Sequence, residues 1–163
     1  MSQQKSGLSF LWLSAVAFVL DLLTKYIVVQ KFALYESVNI LPVFNLTYVR
    51  NTGAAFSFLA DHDGWQKFFF IGLAVVISSM LIYFMAKSEA AQKLQNAAYA
   101  LIIGGALANA VDRAYNGYVI DFFDFYWRDW RYPVFNVADI AICVGAALIA
   151  LDAFKQGKKQ EQK

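Results

Sequence analysis

FFFIGLAVVISSMLIYFMA, from Phe68 to Ala86, decides what kind of protein this is. It carries no charged residue over a length that matches the roughly 20 apolar residues needed to cross a bilayer. Three further stretches approach the same length, at residues 9–29, 94–113 and 134–152. The first follows Lys5 in the manner of a signal peptide. Asp21 and Lys25 interrupt it, however, and no small-x-small cleavage site comes after it, so it reads as a retained helix. The composition agrees, with 60% hydrophobic and 16% charged residues, against about 45–50% and about 25% in an ordinary soluble domain. The expectation is an all-α integral membrane protein with four transmembrane helices in a single membrane domain over residues 1–163.

An even number of spans puts both termini on one side, with Lys5, Lys87, Lys93, Lys155, Lys158, Lys159 and Lys163. The other side holds Lys31, Arg50, Arg128 and Arg131, with Lys67 and Arg113 at the boundary. The positive-inside rule then places the termini in the cytoplasm and residues 31–66 and 114–133 outside. Val38–Val49 alternates well enough to predict one strand, and Tyr118–Trp127 predicts another. Their aromatic side chains suit the headgroup level, so a small β-rich platform is expected on the outer membrane surface. The polar tail 155–163 is expected to be cytoplasmic and disordered.

Ionisable groups inside spans are costly, and each needs an account. Asp21 and Lys25 are four apart and share a helix face, so they can pair. Asn109, Asp112 and Arg113 share a face at the end of the third helix, and Asn136 and Asp139 are three apart at the start of the fourth. Up-down threading brings those two ends together, so Asp121 and Asp139 can meet at the outer boundary. Two converging carboxylates in a partly dry site cannot both ionise easily; one keeps a proton while the other stays charged. That is the arrangement for general acid–base work on an amide. The plainer alternative is that aspartates just beyond a helix are solvated loop residues, and Asp124 and Asp129 are read that way.

Other chemistries find less support. A net charge of +2 without a basic, aromatic-interleaved stripe gives no footprint for nucleic acid. His62, the only histidine, has no cysteine pair with which to build a usual zinc site, so no metal is expected. Cys143, the only cysteine, reads as a small packed hydrophobe in an apolar run. Ser14 and Ser57 have no spacing that recommends either for a serine–lysine pair with Lys25. Gly104 and Gly105, followed by Ala106 and Ala108, read as a close helix-packing face.

Four local patterns occur in order along the chain: ArgAsnThrGlyAlaAlaPheSer (Arg50–Ser57), GlyGlyAlaLeuAlaAsnAlaValAspArg (Gly104–Arg113), ValIleAspPhe (Val119–Phe122) and PheAsnValAlaAsp (Phe135–Asp139). With AspLeuLeuThrLys at Asp21–Lys25, the sequence resembles the bacterial lipoprotein signal peptidases, the type II signal peptidases. The resemblance implies an intramembrane aspartic endopeptidase of the bacterial inner membrane. It would remove signal peptides from diacylglyceryl-modified prolipoproteins, cutting before the lipid-modified cysteine near the periplasmic face. It implies no cofactor, a β-rich platform in the periplasm, membrane lipids as surroundings and a monomer. It places the catalytic pair on Asp121 and Asp139. Asn51, Gly53, Asn109, Arg113 and Asn136 then fall in substrate-binding or orienting positions, and Asp21 and Lys25 in a supporting pair. One departure is visible: Ala108 stands before Asn109 where the family pattern usually has glycine.

Two other functions compete. A small transporter would use the charged cluster as an ion or proton relay, and it predicts repeated halves or helices broken near the midplane. A non-catalytic assembly subunit would use the charges only to pair helices.

Overall fold

The computed structural model describes residues 6–53 and 64–161. Ala54–Asp63, which includes Ser57, His62 and the second half of the Arg50–Ser57 motif, lies outside the described residues.

A short 3₁₀ turn, Gly7–Phe10, leads into α1 (Leu11–Lys31), and α2 (Trp65–Lys87), α3 (Lys93–Asn116) and α4 (Val137–Glu161) follow. All four helices are long and apolar enough to cross a membrane. Many of their large side chains, such as Val19, Phe68, Val76 and Val144, point outward without protein partners, as lipid-facing surfaces do.

The third helix is the centre of the bundle, packing on α1, α2 and α4. Its small residues make that possible, because helices in lipid associate by close van der Waals fit. A methyl group added at Gly104 would lie 2.5 Å from the Ser14 carbonyl oxygen of α1. One added at Gly105 would strike the Ala138 carbonyl oxygen of α4. The expected glycine packing face therefore serves two neighbours at once. Ala108 is fully buried with its methyl group in place. The Ser14 hydroxyl donates to the Ala100 carbonyl at 2.7 Å, which makes it a packing contact.

Between the helices the chain builds one antiparallel sheet in the order β1 (Ser37–Leu41), β2 (Phe44–Asn51), β3 (Val119–Trp127), β4 (Trp130–Arg131). The segment Val38–Val49, expected as one strand, is a hairpin. It turns at Pro42, which has no N–H to give to a ladder. The sheet is fastened to one end of the bundle by a cluster of Val28 from α1, Tyr48 from β2, and Ile120 and Phe122 from β3. The Leu81, Met85, Ala100 and Ile103 cluster closes α2 on α3 elsewhere in the bundle. The tail expected to be disordered from Lys155 instead continues α4 to Glu161. Its Lys, Gln and Glu residues are good helix formers that extend the helix beyond its apolar part, with Gly157 the one poor former among them.

Candidate active site

The third helix ends at Asn116, where Gly117 adopts φ 80° and its N–H caps Arg113 O at 3.1 Å. Only glycine enters that left-handed region without cost, and the turn sends the chain straight into β3. Two residues into the strand's ladder, Ile120 N–H donates to the Asp112 carboxylate at 3.2 Å. The next residue, Asp121, is thereby held under the bundle with 2% of its surface exposed.

Asp139 arrives from the other direction, in the first turn of α4. Asn136 precedes that helix, and the two residues cap each other. Asp139 N–H donates to Asn136 Oδ1 at 2.9 Å, and Asn136 N–H donates to Asp139 Oδ2 at 3.1 Å. This reciprocal pattern satisfies donors that a helix start otherwise leaves unpaired. Asp21 supplies another cap by accepting Ala138 N–H at 2.8 Å.

Two asparagines join the carboxylates. Asn136 Nδ2 donates to Asp121 Oδ1 at 2.7 Å and also reaches Asn109 Oδ1 at 3.1 Å. Asn109 Nδ2 donates to Asp139 Oδ1 at 2.9 Å. Asn51 Nδ2, from β2, donates to Asp121 Oδ2 at 3.0 Å. Asn51 is held in turn by Gly53 N–H, which donates to its Oδ1 at 2.9 Å. Gly53 has φ 90°, a backbone conformation that favours glycine.

Lys25 does more than pair with Asp21 at 2.6 Å. Its ammonium also meets Asp112 at 2.9 Å and donates to Asn109 Oδ1 at 2.8 Å. With a cation and an amide both donating to Asn109 Oδ1, the NH₂ of Asn109 must face Asp139. One buried cation thus ties α1 to α3 and fixes which way the amide points. Burying an ammonium costs several kcal/mol unless such partners surround it.

Arg113 stands beside the two aspartates with its guanidinium 4.7 Å over the Phe70 ring of α2 and Nη1 at 3.4 Å from Asn109 O. Its Nε is buried and unpartnered among the described residues.

Burial pushes the Asp121 carboxyl up to about 7, with the charge of Asp139 adding to the rise and the Asn51 and Asn136 amides opposing it. A carboxyl that holds its proton to neutrality, close to a second carboxylate with a shared set of donors, is equipped to polarise a carbonyl while its neighbour accepts a proton.

The structure therefore gathers Asp121, Asp139, Asn51, Asn109, Arg113 and Asn136 at the sheet end of the bundle, with Asp21 and Lys25 beneath. The Asn109 side chain is occupied by Asp139, Asn136 and Lys25. Asp112, placed by its spacing on the right face but given no role, proves to link Lys25 to β3. Phe70 carried no signal in the sequence. Asp124, expected to be solvated, is wholly buried, because β3 turns it toward β2 and β4. Its Oδ2 accepts from Thr47 at 2.8 Å and Asn45 at 3.3 Å and pairs with Arg131 at 2.8 Å. Asp129 is exposed in the turn before β4, as expected. Cys143, expected to be packed, is exposed on α4, where its apolar neighbours face outward. It lines an apolar cleft of about 460 Å³ that opens beside Asp139.

The chain as a whole is similar to known proteins. The family model described as "Signal peptidase (SPase) II" matches residues 13–155. A lipoprotein signal peptidase of Haemophilus influenzae strain PittGG is 79% identical, over 98% of this chain and 93% of its own. That of Pasteurella multocida strain Pm70 is 72% identical, over 100% and 99%. A solved structure described as a bacterial membrane enzyme superposes with a TM-score of 0.83 at 29% identity, covering 95% of this chain and 93% of its own.

Proposed function

The chain belongs to the signal peptidase II family, and on that footing we propose that Asp121 and Asp139 are its catalytic pair, in an aspartic mechanism. The protein is a multi-pass membrane peptidase that removes signal peptides from prolipoproteins. The transporter alternative has no support: the family is that of a peptidase, and the four helices run unbroken through their described residues.

One observation carries the mechanistic reading: two carboxylates from different elements share the Asn136–Asn109 bridge, and the more buried one is pushed up to about 7. Asp121 holds the proton. Asp139 lies in the first turn of α4, where backbone N–H groups and the helix dipole suit a negative charge. Asp139 takes a proton from a water as its oxygen attacks the scissile carbonyl, and Asp121 donates its proton to the carbonyl oxygen. Collapse of the tetrahedral adduct breaks the C–N bond, and the departing amine of the substrate cysteine takes a proton from the pair. The free N–H groups of Arg113 lie beside the pair, where they would hold a substrate carbonyl. The lipid-modified cysteine keeps its acyl chains in the bilayer while its peptide bond reaches the sheet end. The lysine distribution supports a periplasmic position for that end and a cytoplasmic one for both termini.

Cleavage of a diacylglyceryl-modified precursor by the purified protein, with a metal chelator present, tests this. Asp121→Asn and Asp139→Asn should each lose roughly 10²–10⁴ in rate, the scale of lost acid–base catalysis, while remaining folded. Inhibition by the chelator that added zinc reverses, or full activity in either variant, would refute it.

A further inference from the structure

Arg113 lies in the field of Asp121 and Asp139, yet no carboxylate pairs with it among the described residues. Its hydrogen bond to Asn109 O is long at 3.4 Å and stays within its own helix, and its Nε is buried without a partner among those residues. A planar fork of donors beside carboxylates ordinarily closes on one of them as a bidentate pair. That closure would occupy its N–H groups and neutralise the carboxylate. A ring stands in the way. The guanidinium carbon is 4.7 Å from the ring centroid of Phe70, in the second turn of α2, inside the roughly 6 Å over which a ring face attracts a cation. Stacking of this kind fixes the plane of the guanidinium and leaves its N–H groups free.

The ring is itself pinned. A methyl group added at Gly53 would lie 2.9 Å from Phe70 Cε2, so the ring rests against the backbone of the residue whose N–H holds Asn51. Phe69 backs it edge-on at 5.5 Å. The neighbours in the same aromatic run do something else: Phe68 and Phe69 are 67% and 53% exposed, whereas Phe70 is half-buried against the site. We propose that Phe70 is a positioning residue for the peptidase, whose ring face holds the Arg113 guanidinium off the carboxylates with its N–H groups free for the scissile carbonyl. The proposal rests on the reading of Asp121 and Asp139 as the catalytic pair. Phe70 touches no reacting atom and acts through Arg113.

Fluorine on a ring edge draws electron density from its face, weakening its hold on a cation while scarcely changing its size. Phe70 should be replaced in turn by phenylalanines bearing one, two and three ring fluorines, and cleavage of a diacylglyceryl-modified precursor peptide followed in detergent. A desolvated contact of this kind changes an equilibrium by roughly 5- to 30-fold. The value of kcat/KM should therefore fall in steps, reaching that loss with three fluorines, and Phe70→Leu should match it. The control is Phe68, which meets the Lys67 ammonium at 4.9 Å on an exposed face; the same fluorines there should change nothing. A packing role predicts a loss in Phe70→Leu with a flat fluorine series, and that result overturns the proposal, as does an equal fall at Phe68. Should Phe70→Leu fail to fold, the fluorine series, which keeps the shape of the ring, decides alone. Full activity in Asp121→Asn or Asp139→Asn would overturn the reading of the pair instead, and the series would still decide whether the ring serves Arg113.

Discussion

Replacing Asp121 by asparagine should cost the protein its activity and, above neutral pH, make it more stable. A carboxyl moved from 3.8 to about 7 on folding corresponds to about 4 kcal/mol, at 1.36 kcal/mol for each pH unit. Below pH 3.8 the group is neutral in both folded and unfolded chains and costs nothing. Between 3.8 and about 7 the native protein holds a proton that the unfolded chain has released, so stability falls as pH rises through that window and levels off above it. Asparagine never ionises and escapes the whole loss. It pays elsewhere, because both carboxylate oxygens accept hydrogen bonds, from Asn136 and Asn51, and an amide offers only one acceptor. Losing one such bond costs about 1 kcal/mol. The variant should therefore be less stable than the wild type by about 1 kcal/mol at pH 4 and more stable by about 3 kcal/mol at pH 8. In tryptophan-fluorescence melts in detergent that gain is about 6–12 °C. The same proton governs the rate: cleavage by the wild type should fall tenfold per pH unit above about 7. Melting curves that stay parallel from pH 4 to 8, or a rate that is flat to pH 9, would refute the argument that burial keeps Asp121 protonated.

The other predictions concern the groups around the pair. Arg113→Lys keeps the charge but loses the planar fork and its stacking on Phe70 at 4.7 Å, so kcat/KM should drop about 10-fold or more; full activity would reduce Arg113 to a boundary residue. Lys25→Met leaves Asp21 and Asp112 buried without their shared cation, a loss on the order of 3–5 kcal/mol. The folded yield after membrane extraction should collapse, and Asp21→Asn with Asp112→Asn in the same chain should recover part of it. Asp124→Asn should keep measurable activity but lower the melting midpoint, since it weakens the bonds that the buried carboxylate accepts from Thr47 and from the largely exposed Arg131 by about 1–3 kcal/mol; inactivation with unchanged stability would mean the wrong aspartate of β3 has been assigned.

Hydropathy accumulates along the chain, so the four spans could be read from Phe68–Ala86 and its companions before any contact was known. Helix spacing put Asp21 with Lys25, and Asn109 with Arg113, for the same reason: a face is a local property. Threading alone brought Asp121 near Asp139. What the sequence left undecided was which atoms meet. That Lys25 reaches Asn109 and Asp112 across 84 and 87 positions, turning the Asn109 amide toward Asp139, depends on how closely Gly104 lets α1 approach α3. Asp124 and Asp129 look alike in sequence, yet the pairing of β3 with β2 and β4 buries one while the turn exposes the other. Burial and hydrogen-bond partnership are properties of the packed molecule, and they are what separate a carboxylate that holds a proton from one that holds a hairpin.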